Sequence, residues 1–187
     1  IAAALVSGAL GALLAIPALR VEGPYLAMIT IAFALVVHHG LVEWRGLTGG
    51  ANGLMGIPMP QLGDMDPAVL MALLASLLMG ASLLFYQRLR SSGWGTAMRA
   101  VKDSEIAARS LGFNPVQTKT LAFGLSALLT GLAGSLVAPL MMFINPASFP
   151  FSQSILFVLA VIVGGAGSIL GPVLGALLIV LLPEMLS

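Results

Sequence analysis

The sequence predicts an all-α integral membrane protein, a polytopic bundle of about six transmembrane helices with one cytoplasmic loop of two short helices. Three observations predict it. Hydrophobic residues make up 59% of the chain and charged residues only 8%, whereas charged residues make up about 25% of soluble domains. Apolar stretches of about 20 residues, the length that crosses the hydrocarbon core, recur along the chain. All Lys and Arg residues except Arg20 and Arg45 lie within residues 88–119.

Six apolar segments are the predicted spans: residues 1–19, 24–42, 67–86, 120–143, 151–163 and 169–186. Pro24 and Pro67 stand at predicted helix starts, where the missing N–H costs nothing. Pro17 and Pro139 lie inside or near the ends of spans and are expected to kink or stop their helices. The chain opens inside an apolar run without an initiator Met. We therefore expect a piece of a longer protein, truncated at both ends.

The basic stretch sets the predicted orientation. A charge at the bilayer centre costs about 2.5–3.5 kcal/mol on insertion scales, so residues 88–119 are expected outside the lipid. Cytoplasmic loops are rich in Lys and Arg, which places this stretch inside and, by alternation of the spans, Arg20 as well. Residues 43–66 are then outside. No Lys or Arg follows Lys119, so the later topology rests on counting spans, and a re-entrant fifth segment would reverse it.

Within the basic stretch the sequence predicts two short helices, residues 96–102 and 104–111. Asp103 is suited to cap the second helix at its N-terminus. Glu105 and Arg109 match the charges of that helix's two ends. Gly112 is expected to end it, and Pro115 blocks its continuation. The loop is therefore predicted to be folded.

Glycine and other small residues form two further patterns. Small residues spaced four apart either let helix backbones touch or form a surface along which helices slide. This spacing occurs at Ser7 and Gly11, at Ala127, Gly131 and Ser135, and at Gly167, Gly171 and Gly175. Residues 46–58 are rich in Gly and Pro. Irregular backbone beside a membrane is tolerated where it lines a cavity, so this segment is either part of a site or an ordinary outer loop.

The sequence predicts no catalytic, metal or nucleotide site. There is no Cys, which excludes thiolate ligands and nucleophiles. His38 and His39 are adjacent and would point about 100° apart on a helix, so they cannot bind one ion from one face. The sequence has two Gly-rich runs, residues 49–53 and 164–171, and neither is followed by the Lys-Ser/Thr of a phosphate-binding loop. The net charge of +1 gives no reason to expect nucleic acid. No charged residue lies at the centre of a predicted span, which argues against coupling of transport to protons or sodium ions through a buried carboxylate. The energy for any transport must therefore come from another component.

Four segments in order carry a family resemblance: residues 47–54 (LTGGANGL), 97–115 (AMRAVKDSEIAARSLGFNP), 119–126 (KTLAFGLS) and 163–175 (VGGAGSILGPVLG). Together they resemble the LivM-type permease, one of two membrane subunits of ABC importers for branched-chain amino acids. The likeness covers essentially the whole chain. It implies that residues 1–187 form a single multi-pass permease domain in a bacterial inner membrane, surrounded by membrane lipid, with residues 88–119 as its cytoplasmic coupling loop.

The resemblance also implies a set of partners. These are a paralogous LivH-type permease, two cytoplasmic ABC ATPases that bind ATP and Mg, and a periplasmic substrate-binding protein. The chain itself would carry no cofactor and would not be an enzyme. Residues 105–112 correspond to the ATPase-docking loop, with Ile106 inserted after the Glu of the family motif. The implied coupling residues are Arg99, Lys102, Asp103, Glu105, Ala107, Ala108, Arg109 and Gly112.

The mechanism implied by the resemblance is alternating access, in which the ATPases push on the two short helices. A path without fixed charges suits a zwitterionic amino acid with an apolar side chain. The candidates for hydrogen bonds to it are Thr48, Asn52, Asn145 and Gln153, each of which also suits a turn or a helix cap. Two alternatives stay open. One is a related importer for urea, short amides or sugars, and the other is a membrane enzyme or scaffold that needs no ATPase.

Overall fold

The computed structural model describes residues 2–18, 24–61, 65–165 and 167–186, and they are mainly helical. The helices are α1 (Ala2–Ala18), α2 (Pro24–Glu43), α3 (Arg45–Thr48), α4 (Pro67–Ser91), α5 (Gly93–Asp103), α6 (Glu105–Ser110), α7 (Pro115–Met141), α8 (Phe151–Gly164) and α9 (Gly171–Leu186). Short 3-10 turns cover Gly50–Asn52 and Pro146–Ser148, and the two short strands are β1 (Leu54–Met55) and β2 (Phe143–Ile144). The chain divides into two compact units, Ile1–Ile144 and Asn145–Ser187.

The helices confirm the predicted all-α membrane class. Within the described ranges, three helical segments are long and apolar enough to cross a membrane: Pro67–Ser91, Pro115–Met141 and Pro146–Gly164. The other predicted spans correspond to the apolar helices α1 (17 residues), α2 (20 residues) and α9 (16 residues). The total of six spans and the sidedness of the loops stay predictions. The predicted inner turn that contains Arg20 lies outside the described residues.

The fourth predicted span begins earlier than the sequence suggested. The prediction of residues 120–143 is corrected to α7, which starts at Pro115 and ends at Met141. Asn114 Oδ1 accepts hydrogen bonds from the backbone N–H groups of Val116 and Gln117, at 3.0 and 3.4 Å. Pro115 is the first helical residue, where no N–H is needed. Pro115 therefore starts a helix, and the last residues of the basic stretch belong to α7.

α1 and α7 pack against each other through small residues. A Cβ atom added to Gly131 would lie 2.6 Å from the Cβ of Ser7, and one added to Gly11 would overlap the Cβ of Ala127. Ser7 contacts Gly131, and Gly11, which comes later in α1, contacts Ala127, which comes earlier in α7. The two helices therefore run antiparallel, in agreement with the predicted alternation of spans. The Ser7 hydroxyl also donates a hydrogen bond to the Ala127 carbonyl. The backbones touch as the spacing predicts, although Ser135, the last residue of that stripe, is exposed.

The second unit contains α8 and α9, which also pack through glycine. A Cβ at Gly175 would overlap the carbonyl of Ala160, and one at Gly171 would overlap the carbonyl of Gly164. Ser168 caps α9, since its Oγ accepts a hydrogen bond from the Gly171 N–H at 2.7 Å. Gly167 precedes the helix, and a Cβ there would meet nothing within 4 Å. Only two members of the predicted glycine stripe therefore form the contact.

Candidate functional site

The basic stretch folds as α5 and α6 between the long helices α4 and α7, as the sequence predicts. α5 begins at Gly93, three residues before the predicted start, because Ser92 Oγ accepts a hydrogen bond from the Gly95 N–H at 3.4 Å. Gly95 is buried, and a Cβ there would lie 2.6 Å from the carbonyl oxygen of Arg90. α5 therefore follows α4 through a tight turn in which only glycine fits.

The cap of α6 is Ser104, and the prediction that Asp103 caps this helix was wrong. Ser104 has an extended backbone with φ −161°, and its Oγ accepts a hydrogen bond from the N–H three residues later at 3.2 Å. Asp103 is instead the last residue of α5. Glu105 lies in the first turn of α6 and Arg109 in its last, as predicted. Gly112 follows the helix with a positive φ of 85°, a conformation that favours glycine.

Arg99 is bound within the loop. Its Nη1 donates a hydrogen bond to the backbone carbonyl of Arg90 at 3.1 Å, in the last turn of α4. Carbonyls in a last helical turn have no partner in their own helix, so Arg99 caps α4 and ties α5 to it. Lys102 and Asp103 are exposed, and neither makes an ion pair within the described ranges.

Glu105 forms an ion pair with Lys119, a residue of α7. Each side chain is 29% exposed. The pair joins the start of α6 to the beginning of α7 across the turn that contains Gly112. Sequence reasoning singled out Glu105 and missed Lys119 as its partner, because a separation of fourteen residues across a helix break has no periodic signal.

Burial separates the coupling candidates on α6 into two groups. Ala108 is fully buried, whereas Ala107 and Arg109 are exposed. Ile106 and Leu111 are large apolar residues that are 85% and 71% exposed. Ala108 therefore packs the loop, and the exposed surface of α6 is apolar with a cation beside it. Sequence reasoning passed over Ile106, although its position inside the motif of the family it resembles was a signal.

The Gly-rich segment, residues 46–58, begins with a hydrogen-bonded turn after α2. Thr48 Oγ1 lies 2.6 Å from the carbonyl oxygen of Leu41 and accepts a hydrogen bond from the Gly50 N–H at 3.1 Å. Gly49 has a φ of 73°, and a Cβ there would overlap the carbonyl of Gly53. The Thr48 hydroxyl is therefore used inside the turn. Asn52, which ends the 3-10 turn, has an exposed side chain.

Two short strands attach this segment to the end of α7. They pair antiparallel, Leu54 with Ile144 and Met55 with Phe143. The N–H groups that follow β1, at residues 56 and 57, both donate to the carbonyl of Met142, at 3.2 and 3.4 Å. The Gly-rich segment therefore lies at the C-terminal end of α7, and the two-helix loop lies at the N-terminal end.

The other two pathway candidates belong to the second unit. Asn145 Oδ1 accepts a hydrogen bond from the Ser148 hydroxyl at 2.7 Å and so holds the 3-10 turn. Gln153 is exposed in the first turn of α8. In the described part of the chain, no three His, Cys, Asp or Glu residues lie close enough together to hold a metal ion.

Comparison with known proteins places the sequence of this chain in a family. Residues 1–187 match the family model described as branched-chain amino acid transport system / permease component. Two similar proteins are named high-affinity branched-chain amino acid transport system permease protein LivM, from Salmonella typhimurium strain LT2 and Escherichia coli strain K12. They are 35% and 34% identical over 209 residues, which cover 98% of this chain and 49% of each relative. The chain thus spans about half the length of these relatives. No solved structure gives a significant match.

Proposed function

The chain belongs to the family of branched-chain amino acid transport system permease components, and on that premise we propose that it is the permease part of an ATP-driven importer for Leu, Ile and Val. Separate ATPase subunits would drive alternating access of the helix bundle. The observation that carries the proposal is the folded loop of α5 and α6, which is joined by direct contacts to α4 and to α7.

The exposed surface of α6 is the proposed docking site for an ATPase subunit. Ile106 and Leu111 supply apolar area, and Lys102, Asp103 and Arg109 supply a charged rim. Apolar residues surrounded by polar ones are the usual composition of a protein interface. Ala107 is exposed among them, and the buried Ala108 and the terminating Gly112 hold the shape of the loop.

Movement of the two-helix loop, α5 and α6, would reach the membrane by two connections. The Glu105–Lys119 ion pair leads to α7, and the Arg99 hydrogen bond to the Arg90 carbonyl leads to α4. α7 in turn touches α1 backbone to backbone, so these two helices would move together. Small shifts at a docking site produce large rearrangements when packed helices move as rigid bodies.

The substrate path is proposed to involve the four polar residues that the sequence singled out. Thr48 and Asn145 hold turns with their side chains, whereas Asn52 and Gln153 have exposed amides. An amide can donate to a carboxylate and accept from an ammonium group, as a zwitterionic substrate requires. The proposed partners are a LivH-type permease, two ABC ATPases and a periplasmic substrate-binding protein, in a bacterial inner membrane.

The experiment that tests this proposal is transport by the full-length protein in proteoliposomes. The protein is co-expressed with its neighbouring permease, ATPases and binding protein, and ATP-dependent uptake of labelled leucine is measured. Unlabelled valine, urea and a sugar serve as competitors. We expect uptake that valine alone blocks. Competition by urea or the sugar would assign a related importer, and uptake without the ATPases would contradict the ATP-driven mechanism.

A further inference from the structure

A strap of nine residues, 49–57, connects the turn after α2 to the C-terminal end of α7. The strap contains β1, which pairs with β2, and the two N–H groups after β1 donate to the Met142 carbonyl at 3.2 and 3.4 Å. At its other end, the strap follows the turn in which Thr48 Oγ1 lies 2.6 Å from a carbonyl oxygen of α2. The strap therefore joins the end of α2 to the end of α7.

Backbone hydrogen bonds are the main attachment of the strap to α7. The side chains of β1, Leu54 and Met55, are 49% and 77% exposed, so the pairing of the strands buries little apolar surface there. A two-stranded ladder by itself is only marginally stable in water. Segments with few buried apolar contacts are also the parts of a protein that open most easily. The strap can therefore separate from α7 without unfolding a helix.

The backbone on both sides of this attachment is suited to a change of conformation. Gly49, Gly53 and Gly56 of the strap have φ values of 73°, 69° and 75°. Met142, with a φ of 52°, is the one residue other than glycine with a positive φ in the part of the chain that the structure describes. Such a residue is strained and keeps this conformation only where its surroundings hold it. The strap holds Met142 by its carbonyl, so separation of the strap would let Met142 relax.

α7 connects the strap to the two-helix loop. The helix is long and apolar enough to cross a membrane, so in the proposed orientation its two ends lie on opposite sides. The ion pair of Lys119 attaches α6 near the start of α7, and the strap is attached at its end. A movement of α7 as a rigid body would therefore pull on the strap. Asn52, a proposed substrate-path residue, has an exposed side chain on the strap.

We propose that the strap is an outer gate of the substrate path, closed while β1 pairs with β2 and open when this pairing breaks. The proposal rests on the proposed transport function, because a gate requires a transported substrate. The structure is then the closed state, in which the strap lies against the end of α7. In the open state the two hydrogen bonds to Met142 are lost, and the positive-φ glycines absorb the change in backbone direction.

A disulfide that locks the strap tests the gate in the full-length protein with its partner subunits. Met55→Cys combined with Phe143→Cys places two thiols at directly opposed positions. Opposed Cα atoms of antiparallel strands are about 4.5–5.5 Å apart, within the range that a disulfide spans. Oxidation should abolish ATP-dependent leucine uptake in proteoliposomes, and reduction should restore it. Met55→Cys alone, oxidised in the same way, should keep uptake.

Two results of this experiment would overturn the proposal. Uptake that continues after the disulfide has formed would show that the strap stays closed throughout transport. Failure of the two thiols to join in the folded, transporting protein would contradict the strand pairing itself.

Hydrogen exchange at the Ile57 N–H measures opening of the strap without any substrate. Gly56→Ala should raise the exchange rate about tenfold, because a residue with a Cβ disfavours the left-handed backbone. Gly46→Ala, which precedes the strap and also meets nothing within 4 Å, should leave the rate unchanged. Equal rates in the two variants would show that the left-handed backbone at Gly56 does not hold the strap closed.

The same measurement separates the gate from the transported substrate. Binding of ATP to the assembled complex should change the exchange rate at Ile57, and an unchanged rate would refute the gate. If the rate responds to ATP in a complex that does not import leucine, the gate stands and the proposed substrate fails.

Discussion

Glu105, in the first turn of α6, forms an ion pair with Lys119 of α7. The pair crosses the break between the two helices and holds the short helix against the long one. Of the other charged residues of α5 and α6, Lys102, Asp103 and Arg109 are exposed and make no ion pair within the described residues, and Arg99 caps α4. The ion pair thus fixes the position of α6, while the charges of Lys102, Asp103 and Arg109 stay on the surface of the loop.

Removing the ion pair should uncouple ATP hydrolysis from transport more than it should destabilise the protein. Glu105→Gln breaks the connection between α6 and α7, and we expect the number of leucine molecules transported per ATP hydrolysed to fall several-fold. A partly exposed pair contributes only about 0.2–1 kcal/mol to folding, so the thermal midpoint should shift little. Uptake and ATP hydrolysis measured in the same proteoliposomes give the ratio.

Two variants control that experiment. Glu43→Gln, at the end of α2 and outside the two-helix loop, removes an exposed acid that makes no ion pair in the described part of the chain, and it should leave the ratio near the wild-type value. The exchanged pair Glu105→Lys with Lys119→Glu should restore coupling, because attraction between the two positions returns. If the exchanged pair stays as uncoupled as Glu105→Gln, the charge at position 105 contacts something other than Lys119.

The surface of α6 should determine whether the ATPase binds. Ile106→Ser removes an 85% exposed apolar side chain, and we expect the affinity of the permease for its ATPase to fall about tenfold, the effect of a central interface residue. The thermal midpoint should not change, because the side chain packs against little in its own chain. Co-purification of the ATPase with the tagged permease, followed by titration, measures the affinity.

Ala108→Leu is the matched variant on the same helix. Ala108 has no exposed surface, so the larger side chain overpacks the loop and should cost about 1–3 kcal/mol of stability. Loss of ATPase affinity in this variant should follow the loss of folded protein. The assignment of faces on α6 would be reversed if Ile106→Ser unfolded the protein and Ala108→Leu did not.

Replacing glycine by alanine on α7 should destabilise its contact with α1 at one position and be tolerated at another. Gly131→Ala places a methyl group 2.6 Å from the Cβ of Ser7 and 2.9 Å from the carbonyl oxygen of Ala3, so the helices must separate. We expect a loss of about 1–3 kcal/mol. Gly134→Ala lies one turn further along α7 and meets nothing within 4 Å, so its greater helix propensity should make it neutral or stabilising by up to about 1 kcal/mol. Thermal unfolding of the full-length protein in detergent compares the two, and equal midpoints would contradict this contact.

The sequence was sufficient for the features that depend on local pattern. Apolar segment length and charge placement predicted the helices and the two-helix loop. The four-residue spacing of Ser7 with Gly11, and of Ala127 with Gly131, predicted that helix backbones touch there, but not which helices meet. It failed where two residue types suit the same role. Asp103 and Ser104 are both good caps, and only the path of the backbone decides between them. The partnership of Glu105 with Lys119 and the strand pairing of Leu54 with Ile144 depend on how separate helices meet, for which a single sequence carries no signal.

The junction between α4 and α5 should require glycine at one position only. Gly95→Ala brings a Cβ within 2.6 Å of the Arg90 carbonyl, the same group that accepts the hydrogen bond from Arg99. The methyl group should therefore push α5 away from the end of α4 and weaken that hydrogen bond, with a loss of about 1–3 kcal/mol in stability and a lower transport-to-hydrolysis ratio. Gly93→Ala, two residues earlier in the same helix, meets nothing within 4 Å and should leave both quantities unchanged.

Arg99→Gln removes the hydrogen bond while keeping the glycine, so a drop in the ratio for this variant without a large change in midpoint assigns coupling to the contact itself. If Gly95→Ala lowers the midpoint and the ratio stays at the wild-type value, α4 does not receive the motion of the loop, and α7 alone carries it.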